Sequence, residues 1–215
     1  KTGTLTRSEM TIVRVMTASG ASDITGVGYA PDGQVQLQGT RLQPGAAHAE
    51  QVVLLGGGSL AGNASLRQVE GGAWEVHGDP TEAAFLVAER KLGTTQRREQ
   101  RFERIAEIPF TSERKMMSTI ELDHEHGDER VLVCKGAPDV LLGLCTRARV
   151  GMEVVALDEA LRAKILADVD ALTSDALRTL AVAYRPLAAH EDANDDAQAA
   201  HHLENDLIFV GTAGI

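Results

Sequence analysis

The most constraining stretch of this chain lies near its middle. Residues 116–122 (Met-Met-Ser-Thr-Ile-Glu-Leu) and 130–135 (Arg-Val-Leu-Val-Cys-Lys) are apolar, β-rich runs on either side of a polar loop, residues 123–129. Two such runs around a polar turn read as an antiparallel hairpin. A lead-in strand over residues 104–109 adds a third member. Pro138 follows the last run almost at once, and proline suits the first position of a helix, where no N–H is needed. A hairpin followed by a helix, without regular strand–helix–strand alternation, predicts an α+β fold: a mainly antiparallel sheet flanked by helices.

The remaining elements fit that class. Residues 11–16 (Thr-Ile-Val-Arg-Val-Met) are strand-like. Tyr29-Ala30-Pro31-Asp32-Gly33 is a turn between two further strands, since Pro fixes φ and Gly takes φ > 0. Residues 34–39 alternate as an exposed edge strand does. Residues 46–66 read as an Ala-rich helix interrupted by Gly56-Gly57-Gly58, taken as a flexible helix terminus because the Gly-Lys-Ser/Thr of a phosphate loop does not follow. The next helix is marked by Asp79 as N-cap, Pro80 at the first position and Glu82 at the third, close to a capping box. Ala84, Val87, Ala88 and Leu92 form its apolar face and Gly93 ends it. Residues 97–104 are highly charged and read as a solvated linker. Asp158 caps a further helix with Leu161, Ile165, Val169 and Leu172 on one face. Residues 180–184 and 207–210 read as strands, and residues 190–196 as a polar, acidic loop. No internal repeat is present.

Composition narrows the function classes. The 215 residues are 43% hydrophobic and 24% charged, the profile of a globular domain, or one domain carrying pieces of another. Aromatics make up 3%, so the core must come mostly from Ala, Val, Leu and Ile. A formal net charge of −10 argues against a nucleic-acid surface, which needs clustered Lys and Arg. Cys134 and Cys145 are too few for a disulfide framework and fit a reducing compartment. No apolar stretch reaches the ~20 residues that span a bilayer, and no signal-peptide pattern is visible. The first residue is Lys1 rather than Met, so the chain is expected to be an excised fragment or processed product.

The opening Lys1-Thr2-Gly3-Thr4-Leu5-Thr6 places small hydroxyl residues around a glycine, as phosphate-binding loops do. It resembles the phosphorylation loop of P-type cation-transporting ATPases, Asp-Lys-Thr-Gly-Thr-Leu-Thr, entered one residue after the phosphorylated aspartate. Further motifs follow in that family's order: Gly78-Asp79-Pro80-Thr81-Glu82, Pro109-Phe110-Thr111-Ser112-Glu113-Arg114-Lys115-Met116-Met117-Ser118, Lys135-Gly136-Ala137-Pro138-Asp139, Leu177-Arg178-Thr179-Leu180-Ala181, and Gly211-Thr212-Ala213-Gly214-Ile215. The resemblance covers the chain end to end and is to the type II, calcium-pump-like branch. The heavy-metal branch's His-Pro pair is absent, since Gly78 follows His77.

The resemblance implies an inserted nucleotide-binding domain. Residues 1–12 would be a hinge and stub of the phosphorylation domain, 13–206 the nucleotide-binding domain, and 207–215 the returning hinge strand. Site residues carried over are Lys1 and Thr2 in the phosphorylation loop, and Asp79, Thr81, Glu82, Phe110, Ser112, Lys115, Lys135, Gly136 and Arg178 for the nucleotide. Each also has a plainer reading. Phe110 is a core residue at a strand end or a ring that stacks on adenine, worth ~1–3 kcal/mol. Lys115 and Lys135 are solvated lysines or point donors to phosphate. Lys135 ends an apolar strand before Gly136, which permits close approach of a ligand. Glu82 caps its own helix or accepts from the adenine amino group. Arg178 is a surface arginine or a charge-assisted phosphate donor. Ser112 stands where some calcium pumps place Arg, which would shift phosphate contact onto Arg114 and Lys115.

By this resemblance the cofactors are ATP and, in the full-length pump, Mg²⁺. The partners are the phosphorylation, actuator and transmembrane domains of the same chain, with no nucleic acid and a monomeric fragment. The parent would be an ATP-driven cation translocase with a phosphoryl-aspartate intermediate. The fragment would bind ATP at ~0.1–10 mM without hydrolysing it. It would be a cytoplasmic domain of an integral membrane protein, with calcium the first choice of ion. The alternatives are a stand-alone nucleotide or small-ligand module and a haloacid-dehalogenase-like phosphatase fragment. Asp123, His124 and His126 have the composition of a metal site but read more simply as a mobile hairpin tip, as does His201-His202.

Overall fold

A computed structural model describes residues 9–191 and 201–215. Among them, one sheet of eleven strands forms the centre. In chain order the elements are β1 (Arg14–Thr17), β2 (Gly20–Ile24), β3 (Val35–Leu37), β4 (Thr40–Arg41), α1 (Ala46–Leu60), β5 (Ser65–Gln68), β6 (Trp74–His77), α2 (Pro80–Leu92), α3 (Thr95–Arg101), β7 (Phe102–Thr111), β8 (Met116–Asp123), β9 (Glu129–Gly136), α4 (Pro138–Leu144), β10 (Cys145–Val150), β11 (Glu153–Ala156), α5 (Glu159–Ser174), β12 (Thr179–Pro186) and β13 (Leu207–Gly214). The strand order is β4-β3-β2-β1-β13-β12-β9-β8-β7, and β5 and β6 form a separate hairpin. Every pairing is antiparallel except β10 with β13. Strand β13 serves two neighbours on one side. Its first half, Leu207 to Phe209, pairs with β10, and its second half, Gly211 to Gly214, pairs with β1.

Helices cover both faces, because alternate residues of the central strands point opposite ways. Leu132 and Cys134 of β9, Ala181 and Ala183 of β12 and Phe209 of β13 join Leu141 of α4 and Ile165 of α5 in one apolar cluster. Val182, Val210 and Ala213 face the other way, against Leu54 and Leu55 of α1 and Ala84, Phe85 and Ala88 of α2. Phe85 is fully buried, and truncation of such a ring to Ala costs about 3–5 kcal/mol. Both cysteines are free and buried, and burial pushes both thiols up, Cys145 to about 12.

The hairpin of β8 and β9, the α4 start at Pro138 and the Asp158 cap, which accepts from Leu161 N–H at 2.8 Å, stand as expected. Two expectations fail. Helix α1 runs unbroken through Gly56-Gly57-Gly58. A Cβ on Gly57 would lie 2.8 Å from Val182 Cγ1, and one on Gly58 would lie 2.0 Å from the Phe85 ring. The glycines let α1 press onto the sheet and onto α2, so they serve close packing rather than a flexible end. The charged stretch after Gly93 is α3 running into β7, not a linker. It is held by Arg98 on the buried Glu89 at 2.8 Å and by Arg101 in a bidentate pair with Asp123 at 2.8 and 2.6 Å.

Candidate functional site

The end of the sheet where β7 stops, β8 starts, β9 stops and β12 starts collects most of the chemistry. Register fixes this: Thr111 pairs with Met116, Met116 with Gly136, and Ala181 with Gly136. Phe110 is exposed near the end of β7, and Ser112 and Lys115 lie on the exposed turn that follows it. Phe110 is 58% exposed, so its ring is not a core residue. The local cause is a bulge. Ile108 pairs with Ser118 and Thr111 with Met116, so Pro109 and Phe110 together oppose Met117. A bulge re-aims side chains and loosens the ladder. Met117 pairs in turn with Lys135, so the Phe110 bulge lies two strands from Lys135, about 10 Å by strand spacing.

Lys135 is buried at 4% exposure. Its Nζ donates to Gly58 O at 3.2 Å, sits 3.8 Å from Glu82 Oε1 and lies 5.3 Å from the centre of the Phe85 ring. Burial pulls its pKa down to about 8, against the opposing charges of Glu82 and Asp79 and with a further push from Arg104. Gly136 has a reason of its own. A Cβ there would meet Lys115 O and Met116 Cβ at 2.5 Å, so the absent side chain admits strand β8 rather than a ligand. Ala137 N–H then donates to Lys115 O at 3.0 Å, tying the turn to the end of β9.

Helix α2 brings its N-terminus to the same end. Asp79 caps it, accepting from Thr81 N–H at 2.6 Å and Glu82 N–H at 3.4 Å. Burial raises the Asp79 pKa, but these bonds and the charge of Arg178 outweigh it and hold the carboxyl below its usual range. Glu82 is no part of a capping box. Its Oε2 accepts from Asn63 N–H at 2.7 Å and Ala64 N–H at 3.0 Å, tying down the loop after α1. The exposed Arg178 reaches Thr81 Oγ1 at 3.5 Å, and its backbone exchanges hydrogen bonds with Ile215. Thr81 Oγ1 also lies 3.3 Å from Met10 Sδ. Both ends of the described chain, Met10 and Ile215, therefore flank this site.

The sequence reading did not single out the loop around Asn63. Arg104 reaches Gly62 O and Asn63 Oδ1, both at 2.7 Å, and Glu107 accepts from Asn63 Nδ2 at 2.9 Å. Gly62-Asn63 is a turn signal that could have marked the spot. Arg114, expected as a substitute phosphate donor, turns inward to Pro109 O and Glu204. Lys1 and Thr2 lie outside the described residues. The crevice lined by Met16, Thr17, Arg149, Lys164, Asp168 and Phe209 includes none of the expected site residues. Among the described residues, no three His, Cys, Asp or Glu side chains converge on a metal position: Asp123 is held by Arg101 and His126, and His124 by Asp128.

The family model for the P-type ATPase cytoplasmic domain N matches residues 51–215. The chain belongs to that family. As an N domain it is 34% identical over 216 residues to a calcium-transporting ATPase of Bacillus subtilis (strain 168), covering 100% of this chain and 23% of that protein. It is 39% identical over 188 residues to a probable cation-transporting ATPase F of Mycobacterium tuberculosis (strain ATCC 25618 / H37Rv), covering 84% of this chain and 19% of the relative. It is 31% identical over 189 residues to calcium-transporting ATPase type 2C member 1 of Bos taurus, covering 86% and 19%. The N domain thus spans 19% to 23% of the length of these relatives. No helix among its described residues is long and apolar enough to cross a membrane.

Proposed function

We propose that this N domain binds ATP, with adenine stacked on Phe110 and the phosphates met by Lys115 and Arg178. The observation that carries the reading is the exposed Phe110 ring on its bulge, at the sheet end shared with Lys115, Lys135 and Arg178. Lys135 forms a charged floor between Glu82 and the Gly58 carbonyl, where low exposure strengthens its field. Asp79 and Thr81 order the α2 terminus and hold Arg178 near it. Glu82 fixes the adjoining loop and leaves Oε1 as an acceptor for an exocyclic amine.

In this reading residues 13–206 are the nucleotide-binding domain, and residues 1–12 and 207–215 are the hinges to a phosphorylation domain. The parent is a membrane-embedded, ATP-driven cation pump, with calcium the first choice of ion because two of the relatives above carry that name. The γ-phosphate passes to an aspartate directly before Lys1, with Thr2 on the receiving side. Catalysis of that step is positioning and charge stabilisation, and the N domain supplies the positioning. The carboxylates at the site, Asp79 and Glu82, are bonded to backbone amides. Among the described residues no three His, Cys, Asp or Glu side chains could hold a metal ion, and in this reading Mg²⁺ acts in the full-length pump. The N domain alone is inactive and monomeric, and it binds ATP at ~0.1–10 mM, an affinity that suits release of ADP in every cycle.

An ATP titration followed residue by residue by NMR tests this. Shifts cluster at Glu82, Phe110, Lys115, Lys135 and Arg178, and Phe110→Ala abolishes them with the fold intact. Unchanged binding in that variant moves the adenine site elsewhere.

A further inference from the structure

The bulge that exposes Phe110 also leaves it poorly held. Pro109 has no N–H to give the ladder, and regular pairing lapses between Ile108 and Thr111. A stacking ring needs a fixed aim, so the backbone on this side of the turn requires another anchor. Arg114 supplies it. Its Nη1 donates to Pro109 O at 2.6 Å, and its Nη2 is paired with the Glu204 carboxylate. The same Glu204 oxygen accepts from Ser118 Oγ at 2.6 Å, and Ser118 Oγ lies 3.2 Å from Cys134 Sγ in the core. The carboxylate is 6% exposed and the guanidinium side chain 16%.

Glu204 is itself fixed. Its neighbour Leu203 is fully buried, and the Leu203 carbonyl accepts from Arg185 Nη2 at 2.8 Å. On the other side, Asp206 is bonded by Thr146 Oγ1, and its carbonyl accepts from Arg147 at 3.0 Å. The segment entering β13 is thereby locked to β10 and β12, and it holds the turn through the Arg114 guanidinium.

We propose that Arg114 and Glu204 are positioning residues for nucleotide binding: a buried clamp that aims Phe110 by fixing the Pro109 carbonyl. The proposal rests on the ATP reading above. Neither residue touches the nucleotide. Only the planar fork of arginine spans both acceptors, and a lysine ammonium keeps the charge but not the bridge.

The purified 215-residue chain, which contains both apolar clusters whole, is used for the test. Arg114→Lys and Glu204→Gln are compared with wild type by amide hydrogen exchange without nucleotide, and by NMR titration with ATP. Exchange is expected to quicken about tenfold or more at Phe110, Thr111, Arg114 and Lys115, with β12 and β13 unchanged. ATP binding weakens ~3–10-fold in each variant, and the double variant is no weaker than the weaker single one, because both act through one unit. Arg114→Lys carries the test alone if Glu204→Gln does not fold. Unchanged exchange in the turn, acceleration spread evenly over the sheet, or additive losses overturn the clamp. So does an unaltered ATP affinity in variants of a chain whose wild type binds ATP. A wild type that binds no ATP overturns the nucleotide reading and the proposal with it, and the nucleotide-free exchange shows separately whether the clamp holds the turn.

Discussion

Strand β8 ends in two turns that spend their polar groups in opposite ways. At its far end, residues 123–128, the charges answer one another. Arg101 grips Asp123, Arg97 pairs with Glu125 at 2.8 Å, His126 meets Asp123 at 2.9 Å, and His124 meets Asp128 at 2.6 Å. At its near end, Phe110 is exposed, and Lys115 makes no ion pair or side-chain hydrogen bond among the described residues. Arg114 there is turned inward to the turn's own support. A cluster of His and Asp looks like chemistry in one dimension, yet in three its valences are filled by local partners. In the proposed reading, an exposed aromatic and a lysine without a side-chain partner among the described residues mark the surface that takes the nucleotide.

That contrast can be broken in order of effect. Asp123→Ala removes the carboxylate that holds Arg101 and accepts from Glu125 N–H, so it should cost about 3 kcal/mol in urea unfolding while leaving ATP affinity unchanged. Loss of ATP binding in a folded Asp123→Ala chain would join the two turns functionally and end the comparison. Phe110→Ala should do the reverse, costing ~1–3 kcal/mol of ATP binding and leaving the urea midpoint within error.

Lys135 sharpens the near side through pH. Its pKa is lowered to about 8, so the ammonium is lost on raising pH through 8, and ATP affinity should fall several-fold between about pH 7 and 9. The stability sign is opposite. The unfolded lysine holds its proton up to its ordinary value of about 10.5, so folding is relieved of a buried charge, and stability rises, between about 8 and 10.5. A flat affinity profile would place the ammonium away from the bound nucleotide. The smallest effect belongs to His124, whose pKa is raised, first by its hydrogen bond to Asp128. Its contribution is present below the ordinary histidine value of about 6.5 and fades as pH rises through the raised one. His124→Gln should therefore remove a slight decline of the urea midpoint as pH rises past about 6.5 and change nothing at the ATP site.

The parts of the fold legible in the sequence were those with local causes. Asp79 and Asp158 announce their helices because a cap acts within three residues. The β8–β9 hairpin is visible in its own apolar runs. The unbroken course of α1 is not legible locally, because its glycines answer to Val182 and Phe85, which no local pattern connects to them. Helix α3 looks like a linker until Glu89 and Asp123 are brought beside its arginines. Strands β5, β6 and β11 have four residues each, at least half of them exposed, so they carry little apolar alternation, and in β10 the charged Arg147 and Arg149 interrupt it. At the site, the motif boxes named the residues, whereas the supporting partners, Asn63, Arg104 and Glu204, come from distant segments. Glu204 lies 90 positions from the arginine it holds.

The central claim is that a purine ring lies on Phe110. The most direct measurement is a nuclear Overhauser experiment on the 215-residue chain with ATP at millimolar concentration. The account predicts cross-peaks from adenine H2 and H8 to the Phe110 ring protons. Cross-peaks confined to other side chains, with the Phe110 ring silent, would contradict it.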